Sequence, residues 1–231
     1  MLGGVLAVAA VVVIILVAVS SGSSDDSSTP KATSAGGVTG ASQTAALLKG
    51  IPQNGSVLGN PKAPVTLVEF ADMQCPFCQE YALKALPGLI HKYVRTGKVK
   101  MDFRPVVFLG QDSLDGGRVV GAAGNQNKLW NGVELLYHNQ GKENSGWLTD
   151  TLQGKVLAAI PGLNAQKAMS DRAANSVRLQ LVRADNLSKK YKIEATPSFL
   201  VGRTGGKLAA LEPNDLTTAA FSEQIDPLLK Q

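Results

Sequence analysis

Two cysteines, Cys75 and Cys78, are the only ones in the chain, and they stand in the run Cys75-Pro76-Phe77-Cys78. A pair this close makes a poor structural staple, because the unfolded-state entropy a disulfide removes grows with the length of the loop it closes. What two neighbouring sulfurs can do is move electrons by thiol–disulfide exchange: a thiolate attacks a disulfide sulfur and another thiolate leaves. The Cys75–Cys78 disulfide would then be the redox group itself, with no further cofactor. The run follows Val65-Thr66-Leu67-Val68-Glu69-Phe70, a strongly β and almost wholly apolar stretch that reads as a buried central strand. It precedes helical spacing in Leu83, Leu86, Leu89 or Ile90, and Tyr93. The sulfurs therefore sit where a buried strand ends and a helix begins. A helix N-terminus presents unpaired N–H groups and the positive end of a dipole, so a thiolate there is stabilised and its pKa falls. Pro76 suits the first helical turn, where its missing N–H does no harm. Cys75 is expected to be exposed at the tip, as the sulfur that attacks or is attacked. Cys78, one turn in and more buried, would resolve the mixed disulfide.

Other readings of the pair are weaker. Cys75, Cys78 and His91 match three ligands of a zinc-finger spacing, but Arg95, Thr96 and Gly97 fill the interval where a second His belongs, so no metal is expected. Buried structural thiols and an inert short-loop disulfide do not account for the placement between strand and helix.

Two further positions fit redox work. Glu69 is the one acid on the apolar strand, and a buried carboxylate is costly without a role. Burial would raise its pKa and let it pass a proton to and from Cys78; the plain alternative is an exposed edge position. Thr196-Pro197 precedes the strand-like Ser198-Phe199-Leu200-Val201, and Pro belongs at a strand start or edge. With a cis peptide bond there, the Thr196 backbone would turn outward beside Cys75 and pair with an extended substrate strand, ignoring side-chain identity. The Thr196 hydroxyl would also reach Cys75. A trans Pro at a strand start is the plain alternative.

The elements that must position these residues are legible in outline. Val99, Met101 and Phe103 alternate with Lys98, Lys100, Asp102 and Arg104, a strand with one wet face. Helical stripes follow in Val119, Ala123, Gln126, Trp130, Val133, Tyr137 and in Val177, Leu181, Ala184, Tyr191, with Pro161-Gly162 breaking the interval. Pro87 should kink the helix after the cysteines. Ser198–Val201 and Lys207–Ala210 flank Arg203-Thr204-Gly205-Gly206 as a hairpin, and a last helix runs from near Leu216 to Leu229. This order predicts an α/β protein: a small mixed sheet with helices on both faces and a helical insertion over about 112–190.

The combination resembles the thioredoxin superfamily, in its DsbA-like branch. The residues that carry the resemblance are Gly59-Asn60-Pro61-Lys62-Ala63-Pro64-Val65, Val68-Glu69-Phe70-Ala71-Asp72-Met73-Gln74-Cys75-Pro76-Phe77-Cys78, and Ala195-Thr196-Pro197-Ser198-Phe199. It extends from about Leu58 to the C-terminus. The resemblance implies a thioredoxin-like fold split by helices, a nucleophilic Cys75, a resolving Cys78, a proton-handling Glu69 and a cis-Pro197. Phe77 departs from the His that strong oxidants of the family carry at that position, and a phenyl ring lends the thiolate no hydrogen bond, so the direction of redox action stays open.

Leu2 to Val19 is an unbroken apolar and small-residue run that would span roughly 27 Å as a helix, near the thickness of a bilayer core. Residues 1–20 read as a transmembrane anchor, or else as a signal peptide cleaved near Ala18–Ser20. Residues 21–43, rich in Ser, Thr, Gly and Ala, read as a flexible polar tether of about 25–30 Å reach, leaving 44–231 as the folded domain. The domain is expected outside the cytoplasm, at the cell membrane or secreted. The net charge of +5 is spread thinly, densest at Lys189-Lys190, so nucleic acid is not an expected partner. The expected partners are thiols of unfolded or secreted proteins and a membrane redox protein that recharges the dithiol. The leading reading is an oxidase. An isomerase or reductase of the same fold, or a non-catalytic peptide-binding or chaperone-like module, are the alternatives.

Overall fold

A computed structural model of the chain describes residues 37–230. The apolar run 2–19 and most of the expected tether lie outside them. Among the described residues no helix is long and apolar enough to cross a membrane.

Helix α1 (Ala41–Leu48) leads into a hairpin of two short strands, β1 (Gln53–Asn54) and β2 (Val57–Leu58). Strand β3 (Val65–Ala71) is followed by α2 (Pro76–Lys84), α3 (Leu86–Leu89), a π-helical turn at Ile90–Val94 and β4 (Val99–Pro105). The helical insertion comprises α4 (Gln111–Gly124), α5 (Leu129–His138), α6 (Asp150–Ala158), α7 (Ala165–Asp171) and α8 (Asn175–Tyr191). Strands β5 (Ser198–Arg203) and β6 (Ala209–Leu211) and helix α9 (Thr218–Leu229) complete the fold.

The sheet order is β1-β2-β4-β3-β5-β6, with β3 and β4 parallel and the other pairs antiparallel. Strand β3 is therefore central, which explains its continuous apolar run: both of its faces are covered. Val65, Leu67 and Ala71 pack with Val99, Met101, Phe103, Phe199 and Val201 into the main core under the helices. Val68, Phe70 and Leu200 point to the opposite face, against Leu187 and Tyr191 of α8. Strand β4 alternates buried and half-buried residues along its whole length, as the period of two requires.

Three details differ from expectation. The fold begins before residue 44: Val38 is fully buried, α1 starts at Ala41, and the Thr39 backbone exchanges two hydrogen bonds with the Asn139 side chain, each 2.9 Å. A lone Val in a polar segment gives no local sign of a distant pocket waiting for it. The interruption near Pro87 falls at Ala85, so that Pro87 stands in the first turn of a new helix, where its missing N–H is harmless. The stripe read through Val119 to Tyr137 is two helices, α4 and α5, parted by a turn in which Asn127 has a positive φ of 57°.

Candidate active site

Cys75 is the N-cap of α2: its sulfur accepts the backbone N–H of Cys78 at 3.4 Å. Pro76 occupies the first helical position as predicted. Both cysteines are free thiols in this structure, and both are buried. The tip is thus more enclosed than expected: Cys75 keeps 4% of its surface, because the loop ending in the cis peptide bond Thr196–Pro197 lies over the sulfur. The Cys75 thiol donates to the Thr196 carbonyl oxygen at 3.2 Å. The exposed group at the tip is instead Phe77, at 61%.

The two sulfurs differ sharply in acidity. The hydrogen bond with the Cys78 thiol, then the Thr196 side chain and the amides of Cys78 and Phe77, outweigh burial and bring Cys75 from 9.0 down to about 6. Burial, and after it the interaction with Cys75, pushes Cys78 well above its ordinary value. One sulfur is therefore an anion at neutral pH and the other a thiol, which is the asymmetry a nucleophile and its resolving partner need.

The turn before Cys75 is held by residues that local sequence patterns did not single out. Asp72, fully buried, accepts through its carboxyl oxygens from Gln74 N (2.8 Å), Ser113 Oγ (2.6 Å), Phe108 N (2.8 Å) and Leu109 N (3.1 Å). Tyr137 Oη donates to the Asp72 carbonyl at 3.1 Å. Gln140 Nε2 donates to the carbonyls of Met73 and Cys75, at 2.9 and 3.1 Å. The insertion thus clamps the residues that present the sulfur. Tyr137 lay on a predicted helical stripe and read as core; nothing near Gln140 in sequence marks its partner.

Glu69 is fully buried at the middle of the central strand, so the edge alternative is excluded, and burial followed by the Glu134 carboxyl holds its pKa well above the ordinary value. Thr196 and Pro197 are half-buried on one wall of a groove of about 660 Å³. Phe77, Tyr191, Ile193, Leu211 and Pro213 share its lining, with Lys192, Glu194 and Glu212 at the sides. Thr196 joins the groove to the active-site sulfur, its carbonyl meeting Cys75 Sγ at 3.2 Å. His91 is exposed, while Cys78 is buried, and among the described residues no group of three His, Cys, Asp or Glu is placed to hold a metal ion.

Comparison with known proteins gives a consistent neighbourhood. Residues 52–226 match the family model described as thioredoxin. The chain is 31% identical over 147 residues to the "Probable disulfide bond formation protein D" of Bacillus cereus, covering 62% of this chain and 68% of that one. The crystal structure of oxidised BdbD from Bacillus subtilis superposes with a TM-score of 0.67 at 24% identity, over 78% of this chain and 98% of the other. A thioredoxin-like oxidoreductase from Silicibacter pomeroyi gives a TM-score of 0.59 at 27% identity, over 76% and 92%.

Proposed function

The chain belongs to the thioredoxin superfamily, in its DsbA-like branch, and is a thiol–disulfide oxidoreductase; from that premise we propose that it oxidises dithiols of exported proteins outside the cytoplasm, through Cys75 and Cys78. In the oxidised enzyme a substrate thiolate attacks Cys75 Sγ. The Cys75–Cys78 bond breaks, and Cys78 leaves with the electron pair and takes up a proton. A second substrate thiolate then attacks the substrate sulfur bound to Cys75, and Cys75 leaves as a thiolate. The substrate loses two electrons and the enzyme gains them. Glu69, buried beneath, is the group assigned to the Cys78 proton. The groove beside Thr196 and Pro197 receives the substrate backbone. A membrane redox protein recharges the dithiol, and residues 1–20 keep the domain at the membrane or direct its export.

The observation that supports oxidation over reduction is the thiolate of Cys75 at about 6. A stabilised thiolate is a good leaving group and favours the reduced form of the enzyme, so electrons flow in from substrate. Because Phe77 contributes no side-chain hydrogen bond, the oxidising power rests first on the Cys78 thiol, then on Thr196 and the amides at the start of α2.

Equilibration with glutathione tests the reading. The reduction potential should lie between the thioredoxin value of about −270 mV and the DsbA value of about −120 mV. Cys75→Ser should abolish oxidation of a peptide dithiol, and Cys78→Ser should accumulate a mixed disulfide. A potential at or below that of thioredoxin would assign a reductant instead.

A further inference from the structure

Four of the buried polar atoms that lack a hydrogen-bond partner within the protein belong to three residues: Oε1 and Oε2 of Glu69, Oη of Tyr81 and Oε1 of Glu134. Glu69 and Tyr81 are fully buried and Glu134 keeps 1% of its surface. Their neighbourhood follows from register. Glu69 pairs with Phe199 on β5 and with Phe103 on β4, so the three side chains leave the same face of the sheet. Tyr81 of α2 lies against Phe199, ring centroids 4.7 Å apart. Trp130 of α5 meets Phe103 edge-on at 5.7 Å. Glu134 comes one helical turn after Trp130, and Tyr137, on the same face, is fastened to the Asp72 carbonyl just beyond the end of β3. Glu134 is therefore held between an anchor level with Glu69 and an anchor beside the turn that carries Cys75. Its carboxyl enters the space over Glu69 that Tyr81 enters from α2.

We propose that Glu134 is the second carboxyl of a buried proton-sharing pair with Glu69, and that this pair, with the Tyr81 hydroxyl beside it, supplies the proton taken up by Cys78 when its bond to Cys75 breaks. The inference rests on the exchange chemistry assigned to the two cysteines. The sulfur–sulfur bond breaks with its electron pair on Cys78, the Glu69 carboxylic acid gives that thiolate its proton, and Glu69 is left as a carboxylate. A lone carboxylate in an apolar pocket has nothing to hydrogen-bond. Here Glu134, still protonated, donates its hydroxyl hydrogen, so the pair carries a single charge and shares a single proton. Reoxidation runs the transfer backwards. Burial supports this starting state, holding Glu134 at about 8, while burial and then Glu134 raise Glu69, and burial and then both carboxyls raise Tyr81.

Among the described residues, the other buried carboxyls near α5 are Asp112 of α4 and Asp72, whose carbonyl Tyr137 meets. Of the elements packed against it, α1 carries no ionisable side chain, and α2 adds Cys78 beside Tyr81 and the surface ion pair Glu80–Lys84. Helix α4 carries Asp112 and the ion pair Asp115–Arg118 in its first two turns, and α6 carries exposed Asp150 and Lys155. Glu134 is a positioning residue in this scheme, acting on Cys78 through Glu69.

A double-mutant cycle read by stopped-flow reduction of the oxidised protein with a peptide dithiol tests it. Glu69→Gln should slow the step about a hundredfold at pH 7, at the lower end of general-acid contributions, and Glu134→Leu, which acts through Glu69, about tenfold. The double variant should be no slower than Glu69→Gln alone, because both act on one proton. Redox-difference infrared spectra should show a protonated-carboxyl band that changes on reduction in the parent, shifts in Glu134→Leu and vanishes in Glu69→Gln. Glu134→Gln, nearly isosteric, keeps the measurement available if the Leu variant fails to fold, and should also shift the band. Additive rate losses, or a band indifferent to both changes at residue 134, would overturn the pair. Failure of the exchange reading shows elsewhere, as persistent dithiol oxidation by Cys75→Ser.

Discussion

With Cys75 held at about 6, roughly nine in ten molecules of the reduced protein carry its thiolate at pH 7. Alkylation by iodoacetamide should therefore follow one ionisation with a midpoint of about 6, modify one thiol per chain and leave Cys78 untouched through the neutral range; peptide mass spectrometry across pH checks this. Two thiols reacting alike, or a midpoint near 9.0, would remove the asymmetry on which the site depends. The same ionisation has a stability consequence. A thiol whose folded value lies below its ordinary value stabilises the fold fully above about 9 and loses that contribution as the pH falls toward 6. Glu69 and Glu134 act in the opposite sense: their raised values give a contribution present below about 4.5 and lost as the pH rises, for Glu134 through about 8. Glu69 changes protonation with redox state in the scheme above, so the difference in Tm between reduced and oxidised Glu69→Gln protein isolates the cysteines and should grow in favour of the reduced form between pH 6 and 9.

At the level of elements, the turn that presents Cys75 depends on helices far away in sequence. Gly116 of α4 faces Met73, where an added Cβ would overlap the Met73 Cβ and Cγ. Met73 is buried and stands just before the Gln74–Cys75 turn, so it cannot yield without moving the site. Gly116→Ala should cost about 1–3 kcal/mol in a urea melt and slow dithiol oxidation. Gly132 of α5 is the contrast: its nearest neighbour, Ala123 Cβ, is at 3.5 Å, an ordinary contact. Gly132→Ala should be neutral or gain about 0.5–1 kcal/mol from helix propensity. The opposite ranking of the two variants would contradict the packing of α4 on the turn. These long-range contacts are also what sequence reading could not reach. Strands β3 and β4, the hairpin of β5 and β6, and the Cys–Pro start of α2 are written in local periodicity and residue type. The two-residue strands β1 and β2 are too short to show a period. Gln140 reaches Cys75 across 65 positions, with no local signal at either end. Glu134 was within reach, since an acid among Val133, Leu135 and Leu136 breaks an apolar run much as Glu69 does.

For the whole molecule, the question is where the folded unit starts. The compositional boundary at 44 would cut away Val38, the Thr39–Asn139 hydrogen bonds and the first turn of α1, and would leave the His138 ring without Gly40 beside it. A chain starting at Gly37 should match the longest soluble form in stability and in exchange rate. One starting at Thr44 should lose about 3 kcal/mol or more, from the buried Val and two hydrogen bonds. The loss should be felt at the site as well, because Asn139 adjoins Gln140, which grips the carbonyls of Met73 and Cys75. Equal melting temperatures for the two truncations would show that residues 37–43 lie on the fold without supporting it.

The sulfur that reacts is also the sulfur that caps α2. In the oxidised enzyme and in the mixed disulfide that cap is a neutral disulfide sulfur with a slack hold on the Cys78 amide. Release of the oxidised substrate makes it an anion and tightens the cap. With a capping interaction worth about 1 kcal/mol, the recoil of the helix end favours departure about fivefold over a thiol that lacks the cap. The helix behaves as a latch that closes only on the reduced enzyme, so release of the product is driven partly by the architecture that made Cys75 reactive.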